Sequence, residues 1–287
     1  MAKEQAATLR AQWLGQQLRE MREAAGLTLK AVGDYVNRNA STVSRMESGV
    51  VSARVPDVLA YLDICGIDDP RRRADLTTMA RDAWQKGWWD GFTVDTASLL
   101  IDWIWLENRA VKVRCFQIGV VPGLLQTPEY AAALIHADQP DLAPAQVERF
   151  VELRLTRQQR LREDEPLAVS AVVDEAVLRR PVGGPAVMRA QLEHLRELTR
   201  HKHIEVRVLP ASQGAHASPD GGFDILDMPR PYARVACIST AAGIVVIEGR
   251  EVDGLIRKYD RLYRAALRPK ESDAFLLSMI RHWGEQT

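Results

Sequence analysis

The sequence predicts an all-α N-terminal bundle followed by a larger α+β (α/β-layered) C-terminal domain. Three observations carry that prediction. Up to about residue 70, apolar residues recur at three- and four-residue spacing, with cap and turn residues between the runs. Beyond about residue 111, strand-like runs are interleaved with longer helical ones and end in a strand meander. The 287 residues, 46% hydrophobic and 26% charged, are ordinary globular composition and enough chain for two domains. The expected division is residues 1–70, a helical, Trp-rich connector over 71–110, and the large domain over 111–287.

The N-terminal elements follow in order. In residues 9–25, Leu14, Leu18, Met21 and Ala25 mark one helix face, and Gly26 suits the cap that ends it. Thr28 is placed to cap a second helix over 29–36, which would bury Leu29, Val32 and Val36. Gly33 sits inside that helix, where glycine costs about 1 kcal/mol relative to alanine. Close approach of another helix is the expected reason. Asn37 tolerates the left-handed backbone of a sharp turn. Asn39 then caps a third helix over 40–48, closed by Gly49. In it Val43 and Met46 face inward, while Ala40, Ser41, Thr42, Ser44 and Arg45 are small or polar and mostly face outward. A fourth helix starts at Pro56 and buries Val58, Leu59, Leu62 and Ile64 or Cys65.

The stretch GLTLKAVGDYVNRNASTVSRMESG resembles the helix-turn-helix of the phage-repressor (Xre) family, and the likeness extends over residues 9–66. Gly33 matches the family's small residue at the helix crossing, Asn37 its turn residue, and Val43 its buried aliphatic. Glu47-Ser48-Gly49 matches its closing Glu-x-Gly, and Arg22 its partner for that glutamate, so Arg22 and Glu47 are expected as a structural ion pair. The resemblance implies double-stranded DNA as partner. A B-DNA major groove, ~12 Å wide, admits one α-helix. Short side chains at the start of the third helix let its backbone approach base edges. Ser41 and Thr42 can donate, accept or offer a methyl there. Arg45 is the best candidate for a bidentate contact to guanine, the alternative being a solvated or phosphate-only arginine. Thr28, Lys30, Arg38 and Asn39 would hold phosphates, and Ala40 and Ser44 complete the facing surface.

Charge is less supportive. The chain carries 38 basic and 38 acidic residues, and residues 1–66 carry eight Lys/Arg against seven Asp/Glu. One copy should therefore bind DNA weakly. A homodimer reading two half-sites of a palindromic operator, ~34 Å apart, is expected to repair this.

Residues 71–83 read as a charged amphipathic helix whose Arg71–Arg73 run is either a solvated helix start or a phosphate contact. Tryptophans then cluster at Trp84, Trp88, Trp89, Trp103 and Trp105. Such density marks a core, a ligand pocket or an interface. Core packing is the default, and Trp88, Trp89, Trp103 and Trp105 with Pro122, Leu124, Leu125 and Gln126 are the candidate partner or ligand surface. In VKVRCFQ, Val111, Val113 and Cys115 alternate with Lys112 and Arg114 as a strand. Pro122-Gly123 makes a turn, and Thr127-Pro128 opens a helix. A helix over 144–162 carries Arg149, Arg154, Arg157, Arg160 and Arg162 on several faces, so no single nucleic-acid stripe is indicated. Strands are expected at LAVSAVVDE, IEVRVLP, GGFDILDM, ARVACIST and GIVVIE, with helices over 186–200, 251–267 and 269–283.

The segments VPGLLQTPEYA, RLTRQQRL, VVDEAVLRRPVGG, QLEHL and VLPASQGAHAS resemble the C-terminal domain of WhiJ-like actinobacterial regulators, over roughly 84–283. That resemblance implies a transcription regulator and a small BldB-like partner protein. It supplies no activity.

Several classes are not expected. No run approaches the ~18 apolar residues of a membrane span. The start MAKEQAATLRAQW lacks the apolar core of a signal peptide, so a cytoplasmic protein is expected. Three scattered cysteines, Cys65, Cys115 and Cys237, form no CxxC, which points to reduced thiols without disulfide or zinc. His201 and His203 have no acidic or cysteine ligand spaced beside them. His216 is followed by Ala217-Ser218, not by the x-Lys of a phospholipase-D-type motif. No GxSxG, Walker loop or GxGxxG is present. No cofactor, metal or catalytic residue is therefore expected. Two alternatives stay open: an antitoxin-like protein that mainly sequesters a small partner, and an enzyme with an accessory DNA-binding module.

Overall fold

The computed structural model describes residues 7–92, 98–241 and 243–286. Residues 1–6, the start of the stretch read above for a leader, lie outside them. The chain clusters into two compact units: Met1–Trp105 with Arg230–Tyr232, and Leu106–Pro229 with Ala233–Thr287.

The first unit is helical: α1 Leu9–Ala24, α2 Leu29–Tyr35, α3 Ala40–Glu47, α4 Val55–Ile64 and α5 Pro70–Trp84, then a 3-10 turn Trp88–Phe92. The helix α6, Ser98–Arg109, contains the boundary between the units. Leu14, Leu18 and Met21 of α1 form the buried stripe with Val32, Val43, Met46, Val58 and Leu62. Ala25 is exposed, because α1 ends one residue earlier, at Ala24. A glycine inside α1, Gly15, marks the crossing with α3: a Cβ there would sit 2.4 Å from the Met46 carbonyl oxygen. The helix α5 packs on α1 and α4, which joins the stretch after residue 70 to the bundle. Asp69 caps it, accepting from the backbone N–H groups of Arg71 and Arg72. Arg72 donates to Gln17 and Arg73 pairs with Asp63, so two of the three arginines are tied to the bundle itself.

The second unit is α+β. Its elements are β1 Lys112–Gln117, α7 Pro128–Asp138, α8 Pro144–Gln158, β2 Ala168–Asp174, α9 Glu175–Arg179, α10 Pro185–Leu198, β3 Ile204–Leu209, β4 Phe223–Asp227, β5 Val235–Thr240, β6 Gly243–Ile247, α11 Arg250–Ala265 and α12 Pro269–Gly284. One mixed sheet has the order β3-β2-β1-β4-β5-β6. The strands β1, β2 and β3 are parallel, as long helical connections require, and β4, β5 and β6 form the antiparallel meander. The strand β2 is buried along its length because both sheet faces are covered. On one face α11 lays Val252, Tyr259 and Leu262 against Phe116, Val172, Phe223 and Ile225. Tyr259 also donates its hydroxyl to the Ser170 carbonyl at 2.6 Å. Val111 is 52% exposed, contrary to the alternation read from sequence: its backbone bonds Asp227 and Ala168 at the start of the ladder, but of the three expected residues only Val113 and Cys115 are buried.

Candidate functional site

The helix-turn-helix is made by α2 and α3, and backbone contacts at the turn set its geometry. Thr28 caps α2 by accepting from the Ala31 N–H at 3.1 Å, and Asn39 caps α3 by accepting from Thr42 at 2.7 Å. Asn37 adopts a left-handed φ of 55°. The chain then folds back so tightly that the Arg38 N–H donates to the Gly33 carbonyl at 2.8 Å. A Cβ on Gly33 would lie 2.6 Å from the Arg38 carbonyl oxygen. Gly33 is thus required by the turn and by the close approach of the N-terminus of α3, the next helix.

Burial sorts the residues of α3. Val43 and Met46 are buried, Ser41, Ser44 and Arg45 are exposed, and Ala40 and Thr42 are half-buried. The Arg45 side chain makes no hydrogen bond or ion pair among the described residues. Lys30 pairs with Asp34 at 2.7 Å, and Arg38 with Asp57 at 3.2 Å. Such exposed pairs carry little energy, and a phosphate can take over the cation.

Below this surface, Glu47 ties three helices together. It is 8% exposed and accepts from Arg22 Nε at 2.6 Å and Nη2 at 2.8 Å. The Tyr61 hydroxyl donates to the same carboxylate, and Arg22 Nη1 donates to the Leu27 carbonyl at 3.1 Å. The hydrogen bond to Glu47 raises the Arg22 pKa further, and burial followed by that same carboxylate raises the Tyr61 hydroxyl. Tyr61 was not among the residues expected from sequence, because the stripe of α4 was read from its aliphatic residues.

The residues expected as a partner or ligand surface are interior. Trp89, Trp103 and Trp105 are buried and Trp88 is half-buried. Trp105 packs edge-on against Trp13 and Tyr232, with the Arg10 guanidinium 5.3 Å from its ring. Pro122, Leu124, Leu125 and Gln126 are buried as well. Polar side chains saturate the backbone of this segment. Gln126 Nε2 donates to the Val121 carbonyl at 2.6 Å, Gln158 donates to the Gln126 carbonyl at 2.8 Å, and Gln191 donates to the Leu125 carbonyl while accepting from the Thr127 N–H, both at 2.8 Å. Arg154 donates to the Gln126 side chain, and Arg157 forks onto Glu107 at 2.7 and 2.8 Å. Of the α8 arginines, Arg154 and Arg157 therefore serve the interior, while Arg149 is exposed.

Residues 13–76 match a family model described as a helix-turn-helix domain. Residues 100–278, more than half of the chain, match the family described as domain of unknown function (DUF5753). The chain belongs to the DUF5753 family. No curated protein and no solved structure matches it.

Two further features lie within the DUF5753 domain. The first is an open groove of about 770 Å³ between α7 and α8. Ala132, Val147, Val151 and Leu155 line it together with the charged Glu129, Glu148, Glu152 and Arg162. The second is a polar cluster at the sheet. Asp224 lies opposite Cys115 and Cys237 in the ladder and accepts from Gln117 Nε2 at 3.2 Å. Burial, with Glu107 as a second negative charge, pushes its carboxyl up to about 7. Burial likewise pushes the Cys237 thiol up, and Asp224 adds to it. These are the properties of inert, not nucleophilic, thiols. Among the described residues no helix is long and apolar enough to cross a membrane, and no group of three His, Cys, Asp or Glu is placed to hold a metal.

Proposed function

We propose that this protein is a dimeric, sequence-specific DNA-binding transcription regulator of the WhiJ-like Xre type. Its DUF5753 domain receives control from a small partner protein or ligand. The carrying observation is α3: a helix anchored from behind by Val43, Met46 and Glu47 that presents Ser41, Ser44 and an unpaired Arg45 to solvent. The caps Thr28 and Asn39 put two helix N-termini beside that surface, where backbone N–H groups favour phosphate. The near-neutral charge of the module supports a dimeric reading, since two half-sites double the contacts.

The open groove between α7 and α8, lined by apolar and mostly acidic side chains, supports a protein partner over an enclosed small molecule. It equally favours the second reading, a protein whose main task is to hold that partner. We take the domain to be regulatory, not catalytic. Three of its groups with shifted acidity are tied to structural partners, Asp224 to Gln117, Arg154 to Gln126 and Tyr259 to Ser170, and its two cysteines are buried thiols pushed up, away from reactivity.

The test is DNA footprinting on the protein's own promoter. The double variant Ser41→Ala, Arg45→Ala should lose specific protection while circular dichroism and thermal unfolding stay unchanged. An unchanged footprint would remove α3 as the reading element.

A further inference from the structure

The two edges of the sheet are treated differently. At its C-terminal end the outer edge of β3 is capped by the chain itself: Leu267 donates its N–H to the Val208 carbonyl at 2.8 Å, and Val208 donates its own to Ser272 Oγ at 3.1 Å. The outer edge of β6 is open. In an antiparallel pair, alternate residues turn their N–H and C=O groups away from the partner strand. For β6 those outward groups meet no partner among the described residues.

Open edges are normally blunted by charge, proline or a bulge, because unpaired backbone groups recruit another strand. The β6 sequence Gly-Ile-Val-Val-Ile has no charge and no proline, and its ladder with β5 runs in unbroken register from Gly243 to Ile247. Its side chains are partly open to solvent throughout, and Val245, the central residue, is 49% exposed. An apolar, regular, unprotected edge is a liability unless it is occupied.

We infer that β6 is a self-association edge: β6 of a second copy pairs with it antiparallel across a two-fold axis at Val245, joining two sheets into one. A two-fold interface must be self-complementary. Centred on Val245, the pairing sets Ile244 of one copy against Val246 of the other, and Gly243 against Ile247. The charged residues that follow, Glu248, Arg250 and Glu251, fall beyond the paired stretch, so no like charges face each other. This inference rests on the dimer reading above and gives it a location.

The test combines light scattering with crosslinking on the full chain. The wild type should show about twice the 32.1 kDa chain mass at micromolar concentration. Val245→Lys, at an exposed position that folding does not need, should weaken association at least tenfold and leave the unfolding transition unchanged. Val245→Cys in a Cys65→Ser background should form a disulfide-linked dimer within minutes of mild oxidation. A wild-type dimer that Val245→Lys leaves intact, or that Val245→Cys fails to crosslink, overturns the edge assignment and leaves the dimer reading standing. A wild type that stays monomeric at every concentration overturns both.

Discussion

At the scale of single residues, the decisive groups are Glu47, a buried charge that holds α3 in place, and Asp224, on β4 of the sheet. Glu47 is the clearest. Removing one partner of a buried pair leaves the other charge uncompensated, which costs about 3–5 kcal/mol. Arg22→Met should therefore lower the stability of the helical unit by that order in urea unfolding, while Glu47→Gln with Arg22→Met together should recover part of the loss. An Arg22→Met protein as stable as wild type would show that the pair is dispensable. Asp224 makes a pH-dependent prediction. Its folded pKa, about 7, lies above the ordinary aspartate value of 3.8, so the folded state holds a proton that the unfolded state releases. Stability then falls as pH rises from about 4 to about 7 and levels off above. Asp224→Asn, which keeps an acceptor for Gln117, should remove that slope. Parallel stability-against-pH curves for variant and wild type would contradict the assignment.

At the scale of elements, the sequence made most of the architecture legible, and the reasons differ by element. Caps were readable because their chemistry is local: Thr28, Asn39 and Thr127 each bond the backbone as their positions predict. Strands were readable where apolar runs were bounded by turns, as at β2 and β3. What could not be read depended on non-local packing. The order β3-β2-β1-β4-β5-β6 has no local signature. The burial of Gln191 depends on backbone groups 64 and 66 positions away, at Thr127 and Leu125, and that of Gln126 on Arg154 and Gln158, 28 and 32 positions away. The Trp cluster was legible as dense aromatic packing, but whether it faced inward or outward was not. The groove between α7 and α8 left no sequence signal, because its lining is scattered over two helices of ordinary composition. Gly15 and Gly33 show the same contrast. Both are unfavourable in a helix, and only the fold shows that the obstruction at each is backbone carbonyl, at 2.4 Å and 2.6 Å from the missing Cβ. Because backbone cannot rotate away, Gly15→Ala and Gly33→Ala should each cost about 1–3 kcal/mol in thermal or chemical unfolding, despite alanine's better helix propensity. A gain in stability at either site would contradict the close approach.

At the scale of the whole molecule, the chain joins a small DNA-binding class of module to a larger DUF5753 domain, and the charge of the module makes assembly matter. Eight basic residues against seven acidic ones give residues 1–66 little general attraction for DNA. On the proposed dimer reading, specific contacts made twice, by two copies, would be the source of affinity. Contacts to phosphate position a protein, and contacts to base edges give it sequence preference. The proposal places Lys30 and Arg38 in the first role and Arg45 in the second. The most direct measurement is selection from a pool of randomised duplex DNA with the full-length protein, run in parallel for wild type and Arg45→Ala. The account predicts that wild type enriches an inverted repeat with half-site centres about 10 base pairs apart, and that Arg45→Ala loses the preference for guanine at one position of each half-site. No enriched motif for the wild type, or the same motif for both proteins, would contradict it.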